Sequence, residues 1–383
     1  MKNVLLIGIR GVYNYGCEAI VRGTVNILKK IDNSIKIYYA SYNYEDDIRR
    51  LSGCDVEILP RQNKRWTLRN IMKKCLSYFG IYHVVSYDKM DWLQKFDTIF
   101  SIGGDIYTLS YNGKYHPELA NFLCKCQHKG MKYILWGASV GKFEKNPDAL
   151  NFFKKHLPQI DLIVAREKIT VEYLEHLNVK KNVCIAPDPA FFVECPTIDK
   201  NKQENARLTI GINLSPLSAL YEYKNLSVAV QRQSEAIINL IEQMPCDVML
   251  LPHVLDPNPK GNDLIYMQAI YDNIKISHCS NVLIIDNDPG FVGLKSHIGQ
   301  CDYVIAARMH CAINAITMSI PTLFLAYSEK AKGMAEFVYD SKGAVISLAD
   351  FENIPLIIEK LKNWNWVSKY KEIRKFDFAK ILK

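Results

Sequence analysis

The densest run of chemically capable side chains lies between Asp288 and Lys332. An apolar strand-like stretch, Tyr303–Ala306, ends at Ala307-Arg308-Met309-His310. A helical pattern follows, with Ala312, Ala315 and Ile316 on its inner face. That spacing sets a guanidinium and an imidazole two residues apart, at a strand's carboxyl end beside a helix N-terminus. A guanidinium holds carboxylate or phosphate through paired hydrogen bonds, and an imidazole exchanges a proton near neutral pH. A second polar group, Tyr327-Ser328-Glu329-Lys330, closes the next apolar run from Pro321 to Ala326. Either group alone is explained by a surface turn. Two of them on neighbouring strand ends point to a site that grips an anion and moves a proton.

Weaker signals sit at other strand ends. Asn213 ends the run Leu208–Asn213 with Ser215 just past it, and His253 follows the run Asp247–Pro252, although a lone histidine is more often structural. Near the N-terminus, Asn14-Tyr15-Gly16-Cys17-Glu18 lies between a strand and a helix, where backbone N–H groups and the positive helix end favour anions. Its glycine spacing is not that of a dinucleotide fingerprint, and a tight turn also accounts for it. Gly103-Gly104-Asp105 allows close backbone approach and sets a carboxylate in the same kind of crevice; Asp105 reads equally as a base or as a cap. Ser139, in Gly137-Ala-Ser-Val-Gly141, repeats the arrangement. Arg166 opens a helix after another strand and suits either a bound anion or a salt bridge on a solvated face.

These residues need a scaffold, and the pattern predicts one. Short apolar runs alternate with amphipathic helical stretches such as Glu18–Lys30 and Leu226–Gln243, which reads as βαβ units with parallel sheets. The polar stretch Thr197–Arg207 interrupts this alternation as a linker. The expected architecture is α/β, with two Rossmann-like domains facing across a cleft in a GT-B-like arrangement. One domain spans residues 1–196 and the other 207–363. A basic helical tail, 364–383, is expected to pack back on the first.

Composition narrows the classes. The chain has 383 residues, 49% of them hydrophobic and 23% charged, ordinary for a globular protein of two domains. The eleven cysteines are scattered, many in apolar runs, and resemble neither a disulfide framework nor a zinc set, so no metal is expected. A reduced, cytoplasmic setting fits. Val4–Ile9 is a short strand-like run rather than a leader, and no stretch reaches the length of a membrane span. The net charge of +8 suits anionic partners. Nucleic acid is not expected, since basic and acidic residues are interspersed outside 61–74 and no binding motif is present.

At these positions the sequence resembles the polysaccharide pyruvyl transferase family. The residues that carry the resemblance are Asn14–Ile20, Gly103–Asp105, Arg166-Glu167, Asp302–His310, and Pro321 through Tyr327-Ser-Glu-Lys330. Most specific is the C-terminal block, an aspartate-led strand followed by Arg-x-His, then Pro and Tyr-x-x-Lys. The chain departs from the family in having Gly16-Cys17 where Gly-Asp is frequent, and two glycines before Asp105 where three are frequent. The resemblance implies phosphoenolpyruvate as co-substrate, a sugar hydroxyl pair as acceptor and a cyclic ketal as product, with no resident cofactor. It implies donor binding by Arg308, Lys330, Arg166, Tyr327, Ser328, Asn213, Ser215 and His253. Acceptor binding falls to Asn14, Tyr15, Gly16, Gly103, Gly104 and Ser139. His310 is the expected general acid, with Asp105 or Glu18 as the base.

Residues 61–76 mix six cations with Trp66, Leu68, Ile71 and Met72. Such a stretch suits either an anionic bilayer surface or an ordinary amphipathic helix with a solvated basic face. The first reading fits an acceptor carried on polyprenyl diphosphate at the inner face of the membrane. The main rival function is a sugar-nucleotide glycosyltransferase, since one architecture serves both. A saccharide-binding protein without chemistry is the third.

Overall fold

The computed structural model describes residues 1–60, 72, 75, 76, 95–110, 113–198, 207–326 and 329–382. The short runs rich in Val, Ile and Leu form strands because helices flank the sheets, so that side chains of the central strands are buried on both faces. Val4, Leu5 and Leu6 are all fully buried, as are the five residues of Thr98–Ile102 within 2% exposure. Both sheets are parallel throughout.

The first sheet contains β1 (Asn3–Ile7), β2 (Lys36–Ser41), β3 (Glu57–Pro60), β4 (Thr98–Ile102), β5 (Lys132–Ala138), β6 (Leu162–Ala165) and β7 (Val183–Ile185), in the order β3-β2-β1-β4-β5-β6-β7. The helices along this part of the chain are α1 (Tyr15–Ile31), α2 (Tyr44–Arg50), α3 (Glu118–His128), α4 (Pro147–His156) and α5 (Lys168–His176). Strand order reverses between β1 and β4, and ligands of open α/β sheets bind outside the carboxyl ends at such a switch point. Glycines keep the backbones close there. Gly8 has φ +116°, and a Cβ on it would fall 2.4 Å from the Ile102 carbonyl oxygen.

The second sheet contains β8 (Leu208–Asn213), β9 (Cys246–Leu250), β10 (Val282–Ile284), β11 (Tyr303–Ala306), β12 (Thr322–Ala326) and β13 (Val345–Ser347), in the order β10-β9-β8-β11-β12-β13. Its helices are α6 (Pro216–Tyr223), α7 (Leu226–Gln243), α8 (Asp263–His278), α9 (Gly290–Gln300), α10 (Met309–Thr317), α11 (Glu329–Tyr339), α12 (Ile354–Lys362) and α13 (Tyr370–Ile373); α14 (Ala379–Leu382), further along the chain, belongs with the first sheet. Here the switch point lies between β8 and β11. Their register is pinned at the far end by Asp302, whose carboxylate accepts the Thr209 N–H at 2.7 Å.

The chain divides into two compact units, though not at the expected boundaries. One comprises Met1–Val12, Ile20–Pro189 and Phe376–Lys383; the other comprises Tyr13–Ala19 and Ala190–Lys375. Residues 190–196 therefore leave the first unit, and so does the first turn of α1. The tail divides too: residues 364–375 go with the second unit and Phe376–Lys383 with the first, where the Phe378 ring lies 5.3 Å from that of Trp136. Rather than one helix, the tail holds two four-residue helices. Neither β3 nor β13 is evident from the sequence. Both are short edge strands, and Glu57 and Ser347 dilute their apolar pattern.

Candidate active site

Strand β11 ends in Ala307, whose N–H bonds the Asn213 carbonyl oxygen at 3.0 Å, and the chain then turns into α10 with Arg308 as its extended N-cap residue. The turn is fixed from the neighbouring strand. Asn213 Oδ1 accepts the Arg308 N–H at 2.9 Å, while its Nδ2 donates to the Leu251 carbonyl at 2.8 Å. Asn213 is fully buried and braces two strand ends across the switch point. Ser215 is the N-cap residue of α6 on the same side; it is 2% exposed, and its buried Oγ has no hydrogen-bond partner among the described residues. A buried hydroxyl at a helix N-terminus can donate to an anionic ligand atom.

The Arg308 guanidinium is oriented by Asp263, the first residue of α8. Nη2 lies 2.7 Å from Oδ1, and Nε lies 3.2 and 3.3 Å from the two oxygens. Asp263 is fully buried, whereas the Arg308 side chain keeps 18% of its surface. Burial pushes the Asp263 carboxyl up, and the adjacent guanidinium opposes that shift. Asp263 Oδ2 also accepts the N–H groups of His253 and Val254, at 3.3 and 3.1 Å. One carboxylate thus ties the arginine to the loop after β9.

That loop holds the segment expected on the acceptor side. Tyr15 donates its N–H to the His253 carbonyl at 3.1 Å, Leu255 donates to the Tyr13 carbonyl at 3.1 Å, and Asn14 bridges Val254 antiparallel. The Tyr15 hydroxyl bonds Asp288. Gly16 is buried directly against His310: a Cβ there would fall 2.8 Å from Cβ, Cγ and Nδ1 of the imidazole. Asn14, Tyr15, Gly16 and Glu18 therefore join Arg308 and His310 in the second unit, rather than standing apart in the first. Glu18 is fully buried in the first turn of α1.

His253 is 1% exposed and pairs its Nε2 with Asn314 Nδ2 at 2.9 Å. Burial, reinforced by the charges of His310 and Arg308, holds its pKa well below the usual histidine range. It is a neutral ring that carries the Tyr15 contact, placed behind Arg308. Lys330 stands half-buried in the first turn of α11. Tyr327 and Ser328 lie outside the described residues, as does most of 61–76.

The first unit keeps Gly103, Gly104, Asp105, Ser139 and Arg166. Arg166 is 2% exposed, with Nη1 on Asp188 at 3.0 Å and both Nε and Nη2 on Ser139 Oγ, at 3.1 and 2.9 Å. Gly104 packs on the guanidinium so closely that a Cβ would fall 2.5 Å from Nη2. Arg166 thus binds protein partners here, and Ser139 is committed to it. Asp105 is exposed. The roles of Asp263, Asp188 and Asn314 are not legible in the sequence, because each acts on a residue far along the chain.

A family model described as polysaccharide pyruvyl transferase matches residues 14–329. No curated protein matches the sequence. Solved structures of similar fold include the UDP-GlcNAc 2-epimerase of Neisseria meningitidis bound to UDP-GlcNAc, at 13% identity and TM-score 0.59, covering 100% of this chain and 99% of that one. The Methanocaldococcus jannaschii UDP-GlcNAc 2-epimerase has 12% identity, the same coverage and a TM-score of 0.59. Acinetobacter baumannii MurG has 13% identity and a TM-score of 0.51, over 95% of this chain and 91% of that one. At such identities the likeness establishes the fold, which is GT-B-like, with two parallel-sheet α/β domains.

Proposed function

The chain belongs to the polysaccharide pyruvyl transferase family, and on that premise we propose that it moves pyruvate from phosphoenolpyruvate onto two hydroxyls of a saccharide, forming a cyclic ketal. The observation that carries this reading is Arg308, held by buried Asp263 at the β8–β11 switch point with His310 two residues further on, in the first turn of α10. Phosphoenolpyruvate carries a carboxylate and a phosphate, and Arg308, Lys330 and the α6 N-terminus at Ser215 supply what such anions bind.

In the proposed reaction His310 delivers a proton to the donor methylene, which becomes the ketal methyl group. The adjacent carbon turns electrophilic and takes the first sugar hydroxyl, then the second as the carbon–oxygen bond to phosphate breaks. Two hydroxyl protons are lost; one balances the proton given to the methylene and the other leaves with inorganic phosphate. Glu18, which shares the second unit with His310, is our assigned base. Asp105 is the alternative, and separate Glu18→Gln and Asp105→Asn variants distinguish them.

We further propose that the acceptor is a lipid-linked repeat-unit precursor, met at the cytoplasmic face of the membrane through the basic residues of 61–76. Among the described residues no helix is long and apolar enough to cross a membrane. If Lys64, Arg65, Lys73 and Lys74 changed together to Glu leave binding to anionic vesicles unaltered, the membrane part of the proposal fails. The reaction is tested by incubating the protein with phosphoenolpyruvate and a polyprenyl-diphosphate-linked saccharide. The expected product is heavier by one pyruvate less one water, with one phosphate released per ketal. Nucleotide release from a sugar nucleotide, with no use of phosphoenolpyruvate, would replace this reading with glycosyl transfer.

A further inference from the structure

Away from this site, α9 buries a lysine beside a thiol. Lys295 is fully buried, and its ammonium donates to Thr317 Oγ1 at 2.9 Å and to Cys195 Sγ at 3.3 Å. The Thr317 hydroxyl gives its own proton to the Asn314 carbonyl at 2.8 Å, so it faces the lysine as an acceptor. Below the ammonium lies the Phe291 ring, 5.6 Å from Nζ to centroid. Among the described residues no carboxylate forms an ion pair with Lys295. Buried lysines are ordinarily paired with an acid, so the thiol occupies the position of the missing counter-ion.

The two partners differ in access. Cys195 is a free, exposed cysteine in the stretch after β7, while Lys295 is sealed from solvent. The Cys195 sulfur is held toward the lysine by the Thr317 carbonyl at 3.2 Å, and the Tyr370 hydroxyl stands 3.9 Å away. An oxidant from solution reaches the sulfur, and the amine is then the nucleophile already in contact with it.

We propose that Cys195 and Lys295 form a modification site at which a hydroperoxide drives a covalent sulfur–nitrogen cross-link. In the first step the Cys195 thiolate attacks one peroxide oxygen. The S–O bond forms, the O–O bond breaks and hydroxide leaves from hydrogen peroxide (an alkoxide from an organic hydroperoxide), so sulfur is oxidised by two electrons and the peroxide is reduced. In the second step the neutral Lys295 amine attacks that sulfur. The S–N bond forms, the S–O bond breaks, and water leaves carrying one amine proton, giving a sulfenamide. Burial lowers the Lys295 pKa, against the opposing influence of Cys195, and so favours the neutral amine the second step requires. Thiol reductant reverses the link by attack at sulfur.

The test uses the full chain, treated with hydrogen peroxide and digested without reductant. The expected main product at this position joins the Cys195 and Lys295 peptides, is lighter than their sum by two hydrogens, and separates with dithiothreitol. Lys295→Met should divert Cys195 to sulfenic and sulfinic acids, and Cys195→Ser should abolish the product. Cys124 and Cys279, also exposed, provide internal controls that form no lysine link. If the wild-type protein oxidises Cys195 without joining it to Lys295, or leaves Cys195 reduced while Cys124 and Cys279 oxidise, the proposal is overturned.

Discussion

Each unit of this chain contains a strand-end arginine bound to a buried aspartate, and the two pairs do different things. Arg166 follows β6 directly and is closed in by Asp188, Ser139 and the Gly104 backbone, with 2% of its side chain exposed. Arg308 follows β11 by one residue and is held by Asp263, yet it keeps 18% of its surface and heads a helix whose first turn contains His310. The first pair satisfies itself. The second leaves its charge fixed but part-exposed, because the carboxylate orients the guanidinium without enclosing it, and it is this exposed charge that we propose meets the donor. The lesson is that an arginine after a strand identifies a location, and only the enclosure around it decides between bracing and binding.

The largest effect is expected for Arg166→Ala, which strands the buried Asp188 carboxylate. It should lower the stability of the first unit by about 3–5 kcal/mol, read as a shift in the urea unfolding midpoint. A wild-type midpoint would place Arg166 among the ligand-binding residues instead. For Arg308→Ala and His310→Gln we expect turnover to fall by about two orders of magnitude or more in protein that circular dichroism shows to be folded, as measured by steady-state phosphate release; Arg308→Ala also strands the buried Asp263 and lowers the unfolding midpoint of the second unit. Asp263→Asn should act through Arg308. It lets the guanidinium drift and lowers kcat/KM for phosphoenolpyruvate by about tenfold; unchanged kinetics would show that Arg308 needs no such hold.

A separate effect concerns acid. Burial holds His156 of the first unit at a pKa of about 4, against 6.5 for the free side chain. Between those values the unfolded chain binds the proton and the folded one does not. Stability is therefore complete above pH 6.5 and is lost as pH falls toward 4, at about 1.4 kcal/mol per pH unit. His156→Leu should flatten that slope. The second unit carries its own buried neutral histidine, His253, and should retain its acid sensitivity in that variant.

Much of this was legible beforehand. Fully buried parallel strands leave apolar runs that alternate with helices, so both sheets could be read, and Arg308 and His310 signalled themselves by spacing and by the Arg-x-His block. What the sequence hid was long-range pairing. Asp263 lies 45 positions from Arg308, within a helix start that looks like any other. The placement of Tyr13–Ala19 in the second unit rests on main-chain bonds to His253, Val254 and Leu255, which carry no residue-type signature. For Arg166 the sequence leaves two alternatives open, because enclosure by Gly104 and Ser139 depends on three separate strand ends meeting.

The central claim is that His310 protonates the donor while Arg308 holds it. Its most direct test is the rate of phosphate release from phosphoenolpyruvate, in the presence of acceptor, by folded His310→Gln protein beside the wild type. The account predicts release slower by about two orders of magnitude or more. Near-native release would contradict it.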